Sequence, residues 1–523
     1  PRLTSLTSIP TTLFDGTTPF APPTPTGGFP YTPPPSGTGL GIYWGLDDQI
    51  KTPYSYTLDL SVARALTKSL SLEVTYVGRL SHRLLAQEDL AMPLDLVDKK
   101  SGIAYFAAAN RLSQLAAQGT PTSAITPALV GPTAAYWQNM IAPLKPGDQY
   151  NLAASGNVAG DPSTHPFLFT TDPLKAAYDL YSGLLFNETT ALSAIDYAGS
   201  DSNQSSVAGI AGMIPGLAGC TYSNGNSCSL NHYPTIFGPN AFFNSQFHSL
   251  YAWRSIGNAN YNALQVSLRK HMSGGVQFDV NYTYSKSIDI SSAAERVLPY
   301  MGTSGGVGGN IVNSWSPNQL RGISDFDNTH QLNTNFIVEL PFGKGKYVAR
   351  NASGIANSII GGWSLSGLAR WSSGFPLTIG NGGTWPTNWQ LEGAATQIGP
   401  VKTGVIKQSS SFPTQVPNIF VDPNGPTGIG AFRHDFPGES GNRSQLRGPG
   451  FAGLDAALSK SWKMPYAESH FLKFRWEVFN VLNHPEFDVN TVTNQIDQQG
   501  SFGAFSGLLT NPRVMQFALR YEF

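Results

Sequence analysis

The sequence predicts an all-β fold: an antiparallel transmembrane β-barrel with long extracellular loops, one of them carrying short helices. Three observations carry this. Segments of strictly alternating apolar and polar residues recur along the chain. The connections between them alternate between short and long, as in barrels with tight periplasmic turns and long outer loops. Charged residues avoid one face of every such segment.

Taken in chain order, residues 1–53 are rich in Pro and Gly ("PFAPPTPTGGFPYTPPPSGTG") and read as an outer loop. Residues 54–86 form a first hairpin. "YSYTLDLSV" puts Tyr54, Tyr56, Leu58, Leu60 and Val62 on one face, and "LSLEVTY" does the same with Leu70, Leu72, Val74 and Tyr76. Residues 87–258 are too long for mere coil and read as a loop subdomain over the barrel mouth. Residues 259–523 hold the remaining strands. "VQFDVNYTY", "LNTNFIVEL", "LKFRWEV" and the terminal "MQFALRYEF" alternate as the first two do, and weaker strands lie around 264–268, 363–371 and 454–458. The tight links are Leu66 to Ser69 and His271 to Gly274, with moderate ones at "GKGK" and "KMPYAES".

Across the six strong segments, 28 positions fall on the apolar face; none is charged and only Thr334 is polar. The 22 intervening positions hold nine charges: Asp59, Glu73, Asp279, Glu339, Lys473, Arg475, Glu477, Arg520 and Glu522. A Lys or Arg at mid-bilayer on the lipid face costs about 2–4 kcal/mol, whereas a lumen position tolerates it. The asymmetry therefore assigns the apolar face to lipid and these nine residues to the lumen. Period-two strands also build soluble sandwiches, but aromatic residues crowd the strand ends here (Tyr54, Tyr56, Tyr76, Tyr282, Tyr284, Trp363, Trp371, Phe523), as an interface girdle requires. The first of the nine strands runs toward the short-turn side and the ninth ends on that side too, and a closed single-chain barrel needs an even number, so further strands are expected upstream. The chain opens on Pro1 with no signal peptide and reads as processed or truncated.

Composition agrees. Of 523 residues, 32 are basic and 33 acidic, so no basic field recommends nucleic acid as a partner. Charged residues make up 12%, too few for a disordered chain, and no apolar run is long enough for a transmembrane helix.

Within the longest loop, "DPLKAAYDLYSGLLF" reads as a helix with Asp172 as N-cap and Pro173 at its first position. A second helix is expected from a Ser101 cap to Gly119, and a third near Trp137. Cys220 and Cys228 flank an Asn-Gly turn; a disulfide-closed loop is read in preference to two free thiols. The aromatic residues Trp137, Tyr251, Trp253, Tyr300, Trp315, Trp385 and Trp389 are candidate ligand contacts, against the simpler reading that they pack the loops. His330, with Asp325 and Asp327, is a weak metal candidate beside the simpler reading of a loop entering a strand. The motifs of a serine-hydrolase elbow, a zinc protease and a P-loop are absent, so no enzyme and no cofactor are expected.

Several phrases resemble the C-terminal part of the Oar-like TonB-dependent receptors of Acidobacteria and Myxobacteria. They are "KTPYSYTLDLSVARAL" with "LEVTYVGRLSHRLL", "VNYTYSKSID", "LPFGKGK", "GGWSLSGLARWSSGFPLTI", "LRGPGFAGLDAALSKSW" and "FRWEVFNVLNHPEF". The resemblance implies a 22-strand barrel of the outer membrane, a plug within it and energy delivered through TonB. It also implies that the terminal Phe517, Leu519, Tyr521 and Phe523 form the signal read by the barrel-assembly machinery. TonB box, plug and N-terminal module are not seen in this sequence, so TonB would act only through a region outside it. The expected partners are outer-membrane lipid, the assembly machinery and an unidentified extracellular ligand (an oligosaccharide, peptide or chelate), with protein export as a further role. A barrel-anchored adhesion or structural protein is the alternative, and a soluble carbohydrate binder the third.

Overall fold

The computed structural model describes residues 41–92, 94–140, 172–183, 247–292, 310–382, 393–406, 417–466 and 469–523. Nine long strands form an antiparallel meander: β1 Tyr54–Ala65, β2 Leu70–Asp89, β3 Phe247–Ser273, β4 Val276–Asp289, β5 His330–Glu339, β6 Trp363–Ser372, β7 Phe451–Lys463, β8 Phe471–Phe479 and β9 Val514–Glu522. Each pairs with its neighbour in sequence, from β1 at one edge to β9 at the other. Among the described residues the sheet stays open, because β1 and β9 do not meet. Among the same residues no helix is long and apolar enough to cross a membrane, which leaves crossing by strands unaffected.

The register keeps the two faces separate through the middle of the sheet, and Arg64, Lys270 and Lys460 join the apolar face only near the short-turn end. Leu72, Leu268, Val280, Thr334, Ala369 and Leu454 occupy one continuous row. The next row on the opposite face runs Arg269, Asp279, Asn335, Leu368, Asp455. A slip of one residue in any pair would drive a charged row into lipid, so alternation fixes register. The β3–β4 turn is two glycines, Gly274 and Gly275, at φ +62° and +75°, where any side chain would be strained.

Aromatic side chains bound the apolar face at both ends. At the long-loop end His330 packs against Tyr284 (5.2 Å) and Trp371 (6.2 Å), and shares a 2.8 Å hydrogen bond with Tyr282. At the short-turn end Trp363 meets Trp462 and Phe474 edge-on at 6.4 and 6.0 Å. Trp363 and Trp371 are eight residues apart on β6, about 27 Å along a strand, or about 20 Å of membrane normal at the usual barrel tilt. That is the scale of a lipid band.

Two strands run further than their alternation. β2 reaches Asp89 and β3 starts at Phe247, so the hairpin extends past the boundaries at 86 and 259 read from sequence. On this extension the short strand Gly41–Leu46 pairs parallel with β3, and Asn310–Ile311 pairs parallel with β2. Neither face meets lipid there, and Ala86, Gln87, Glu88 and Asp89 are buried in succession.

Three expected helices are present: α1 Tyr105–Ala117, α2 Ala134–Met140 and α3 Pro173–Gly183. Asp172 caps α3, accepting from the Leu174 amide at 2.9 Å. Ser101 does not cap α1; the N-cap is Ala104, and the Ser101 hydroxyl donates to Asp98 in the preceding turn at 2.5 Å. A further helix, α4 Gly354–Ile360, lies in the β5–β6 connection and, like the four-residue helix Pro127–Val130, was not expected from sequence.

Candidate functional site: the polar wall and its loop cap

The polar face of the sheet is a hydrogen-bonded wall. On β1 and β2, Ser61 donates to Glu73 at 2.9 Å and accepts from the Thr75 hydroxyl at 2.9 Å. On β3 and β4, Arg269 faces Asp279 at 3.4 Å, Asn281 donates to Asp279 at 3.1 Å, and Ser267 donates to Asn281 at 2.7 Å. Lys346 pairs with Glu339 at 2.9 Å. On β8 and β9, Arg475 pairs with Glu477 (2.6 Å), Lys473 and Arg520 both reach Glu522 (2.5 and 3.3 Å), and Gln516 donates to Glu477. Asp59 sits on the same face, exposed on the edge strand β1. A concavity of about 450 Å³ opens on this wall, lined by Asn335, Ser366, Asp455, Arg475 and Glu477 among others. Arg370 reaches Asp455 from 3.6 Å. Charges of both signs, most of them beside a partner, line a surface that stays wet and has no strong net field.

Above the wall the long loops fold on one another. The β6–β7 connection and the β8–β9 connection share one apolar core, which includes Ile379, Phe420, Phe432, Val492, Ile496 and Phe502. The Phe420 and Phe502 rings stack at 4.8 Å. Backbone ladders join the same segments: the Ile419 amide donates to Gly503 O at 2.9 Å, and the Ile496 amide to Gly380 O at 3.1 Å.

Buried charges tie this cap to the strands. The Arg443 side chain is 1% exposed and pairs with Asp289 at the top of β4, with Asp325 a further 3.7 Å contact. Arg447 pairs with Asp327 at 2.5 Å and donates to Gly374 O at 3.0 Å. Burial raises the Asp325 carboxyl above its ordinary range, and the neighbouring Arg443 charge only partly opposes this. Asp435 is buried among Thr396 Oγ1 (2.5 Å), Asn381 Nδ2 (2.9 Å) and the Gly441 amide (3.2 Å). Burial outweighs these donors and pushes the Asp435 carboxyl up to about 6. Burial also lowers His434, against the opposing charge of Asp497.

The helical module of the longest loop packs α1, α2 and α3 around Tyr105, Trp137 and Tyr181. Asn110 of α1 donates to Pro437 O at 3.2 Å and to Glu439 at 3.1 Å, fastening the module to the cap.

The candidate ligand aromatics are scattered by this packing. Trp137 and Tyr251 are buried, so neither can stack on a ligand in this conformation. Trp137 donates to Ala108 O at 3.4 Å and is a core residue. Trp253 is half-buried on β3, and Trp315 is exposed. Tyr300, Trp385, Trp389 and the Cys220–Cys228 pair lie outside the described residues. Asp325 and Asp327 turn to Arg443 and Arg447 while His330 joins the aromatic girdle, so the three do not converge on a metal. Phe517, Leu519 and Tyr521 are exposed on the apolar face of β9, and Phe523 is exposed just beyond its end. Arg443, Arg447 and Asp435 were missed in the sequence, because loop residues carry no period to mark them.

A family model described as "Outer membrane beta barrel domain" matches residues 178–516, well over half of the chain. No curated protein matches the sequence. Among solved structures, the outer membrane transporter YddB from Escherichia coli is similar over 92% of this chain and 34% of that one, at 8% identity and a TM-score of 0.33. The present chain thus spans about a third of that protein's length.

Proposed function

The chain belongs to the outer membrane beta barrel domain family and resides in the bacterial outer membrane, and from that premise we propose that it is the wall and outer face of a transport barrel. The observation that carries the reading is the split between the two faces. One face is apolar and bounded by aromatic girdles. The other presents Arg269–Asp279, Arg370–Asp455 and Arg475–Glu477 to a wet interior.

The cargo class fitting a wall of balanced charge is a polar solute such as an oligosaccharide, peptide or chelate; protein export uses the same path. The finer assignment is to a TonB-dependent receptor of the Oar-like kind, energised through a region outside this chain. The exposed terminal row Phe517, Leu519, Tyr521 and Phe523 is the part offered to the barrel-assembly machinery.

The test is uptake of labelled oligosaccharides, peptides and chelates by cells carrying the whole protein, with and without an intact inner-membrane proton gradient. Gradient-dependent internalisation is expected. Surface binding without internalisation would overturn transport and favour an anchored adhesion protein. That second reading draws its support from the cap, whose loops bury a core of their own.

A further inference from the structure

Helix α4 is out of place for a periplasmic turn. It spans seven residues, too short to hold together alone in water. It nevertheless presents Ile355 81% exposed and Ile359 62% exposed, four residues apart and therefore on one side. Tyr347, in the same connection, is 94% exposed.

What holds the helix is its last turn. Lys460 of β7 donates from Nζ to Ser358 O (2.5 Å), Ile359 O (3.1 Å) and Gly361 O. The Trp363 and Trp462 indoles donate to Ile359 O and Ser358 O, each at 2.8 Å. The ammonium also lies 5.3 Å from the Trp363 ring and 5.2 Å from the Trp462 ring. A cation at a helix C-terminus is favourable, because the last carbonyls lack backbone partners. At the base of the connection Gly343 and Gly361 approach so closely that a Cβ on Gly343 would lie 2.6 Å from Gly361 Cα.

The position of these three clamps decides which side the helix faces. Lys460 pairs with Trp363 and Phe474, and Trp462 with Leu472. All share the face of Leu365, Leu458 and Leu519, which is the lipid face. The helix is therefore fixed against the lower rim of the lipid band and continues it. Lys460 would be an unpaired charge on that rim without the helix carbonyls.

We propose that α4 is an interfacial anchor whose isoleucines lie among the phospholipid acyl chains of the periplasmic leaflet, with Lys460, Trp363 and Trp462 as the clamp that sets its depth. The proposal rests on residence in the outer membrane and not on transport.

The test reconstitutes the whole protein in phosphatidylcholine bilayers with a bimane label on Ile355→Cys or Ile359→Cys, and on Leu508→Cys in the outer loops as the aqueous control. Lipids brominated near the headgroup end of the acyl chain are expected to at least halve the emission from 355 and 359 and leave 508 unchanged. Equal, weak quenching at all three positions would overturn the proposal and leave the face to a protein partner. Lys460→Met is expected to reduce quenching at 359 while the folded, heat-modifiable band persists. Unchanged quenching in that variant would remove Lys460 from the clamp. If the variant does not fold, quenching in the Lys460-containing protein still decides.

Discussion

Arg443 and Asp289 form an ion pair closed to water although 154 residues separate them. The arginine belongs to the β6–β7 connection and the aspartate ends β4, so one contact fixes a surface loop to the top of the wall. Ser292 and the Asp289 carbonyl take further donors of the same guanidinium, each at 3.1 Å.

Arg443→Met leaves the Asp289 carboxylate buried without its cation, at a cost of about 3–5 kcal/mol. The loop should then be cut by external protease at sites in 373–450 that are resistant in the parent. Replacing both residues, as Arg443→Met with Asp289→Leu, should recover most of the resistance. Resistance unchanged in the single variant would show that the pair does not hold the cap.

The cap should loosen as pH rises through the region of Asp435. Its carboxyl is raised to about 6 by burial, so the folded cap binds a proton that the unfolded loop releases near 4. The stabilisation is complete below about 4 and is lost as pH climbs through about 6, with a full swing of about 3 kcal/mol. Protection of the Gly441 amide from hydrogen exchange, taken relative to the unfolded chain at the same pH, should fall between pH 4 and 7. Asp435→Asn, which mimics the protonated acid toward Thr396, should flatten that dependence.

Neighbouring residues of β5 should respond oppositely to charge. Phe336→Lys places an ammonium near the middle of the lipid face and should cost about 2–4 kcal/mol in folding into bilayers. Asn335→Lys, one residue away on the polar face, should cost less than about 1 kcal/mol. Folding titrations in urea with lipid vesicles read both, and equal effects would mean that the faces are assigned wrongly.

Gly367 is covered by a ring. A Cβ there would lie 2.6 Å from Phe336 Cζ and 3.0 Å from Asp455 O. Gly367→Ala should destabilise by about 1–3 kcal/mol through overpacking. Adding Phe336→Leu should return part of the loss, read as the temperature at which the folded gel band converts to the unfolded one.

The lipid band was legible because lipid imposes a rule on every second residue. "VQFDVNYTY" and "FLKFRWEV" declare both strand and face, since a charge at Val280 or Trp476 would be expelled. Where β2 and β3 leave the band the rule lapses. Ala86 to Asp89 are all buried, and their strand was not visible in the sequence. The cap is less legible still. Its ladders are two to four residues long, such as Pro376–Leu377 with Leu446–Arg447, and its ties join residues more than a hundred positions apart. No local pattern encodes such contacts. The helices lay between these cases: Asp172-Pro173 marks a start chemically, whereas α1 follows an Ala104 N-cap that offers no side-chain hydrogen bond. Aromatic residues were the least reliable guide, because Trp137 and Trp315 look alike in sequence and end buried and exposed.

The stacked pair Phe420 and Phe502 has a consequence for how this protein can diverge. Surface loops of a barrel ordinarily drift independently, each free to lengthen or change without reference to the others. Here two loops meet in one core, at 4.8 Å between rings. A change that shrinks one ring leaves a hole the other must fill, so viable sequences will carry paired substitutions at these two positions. Insertions will collect at the rim of the cap instead. The outer surface of this barrel will therefore evolve as a single body.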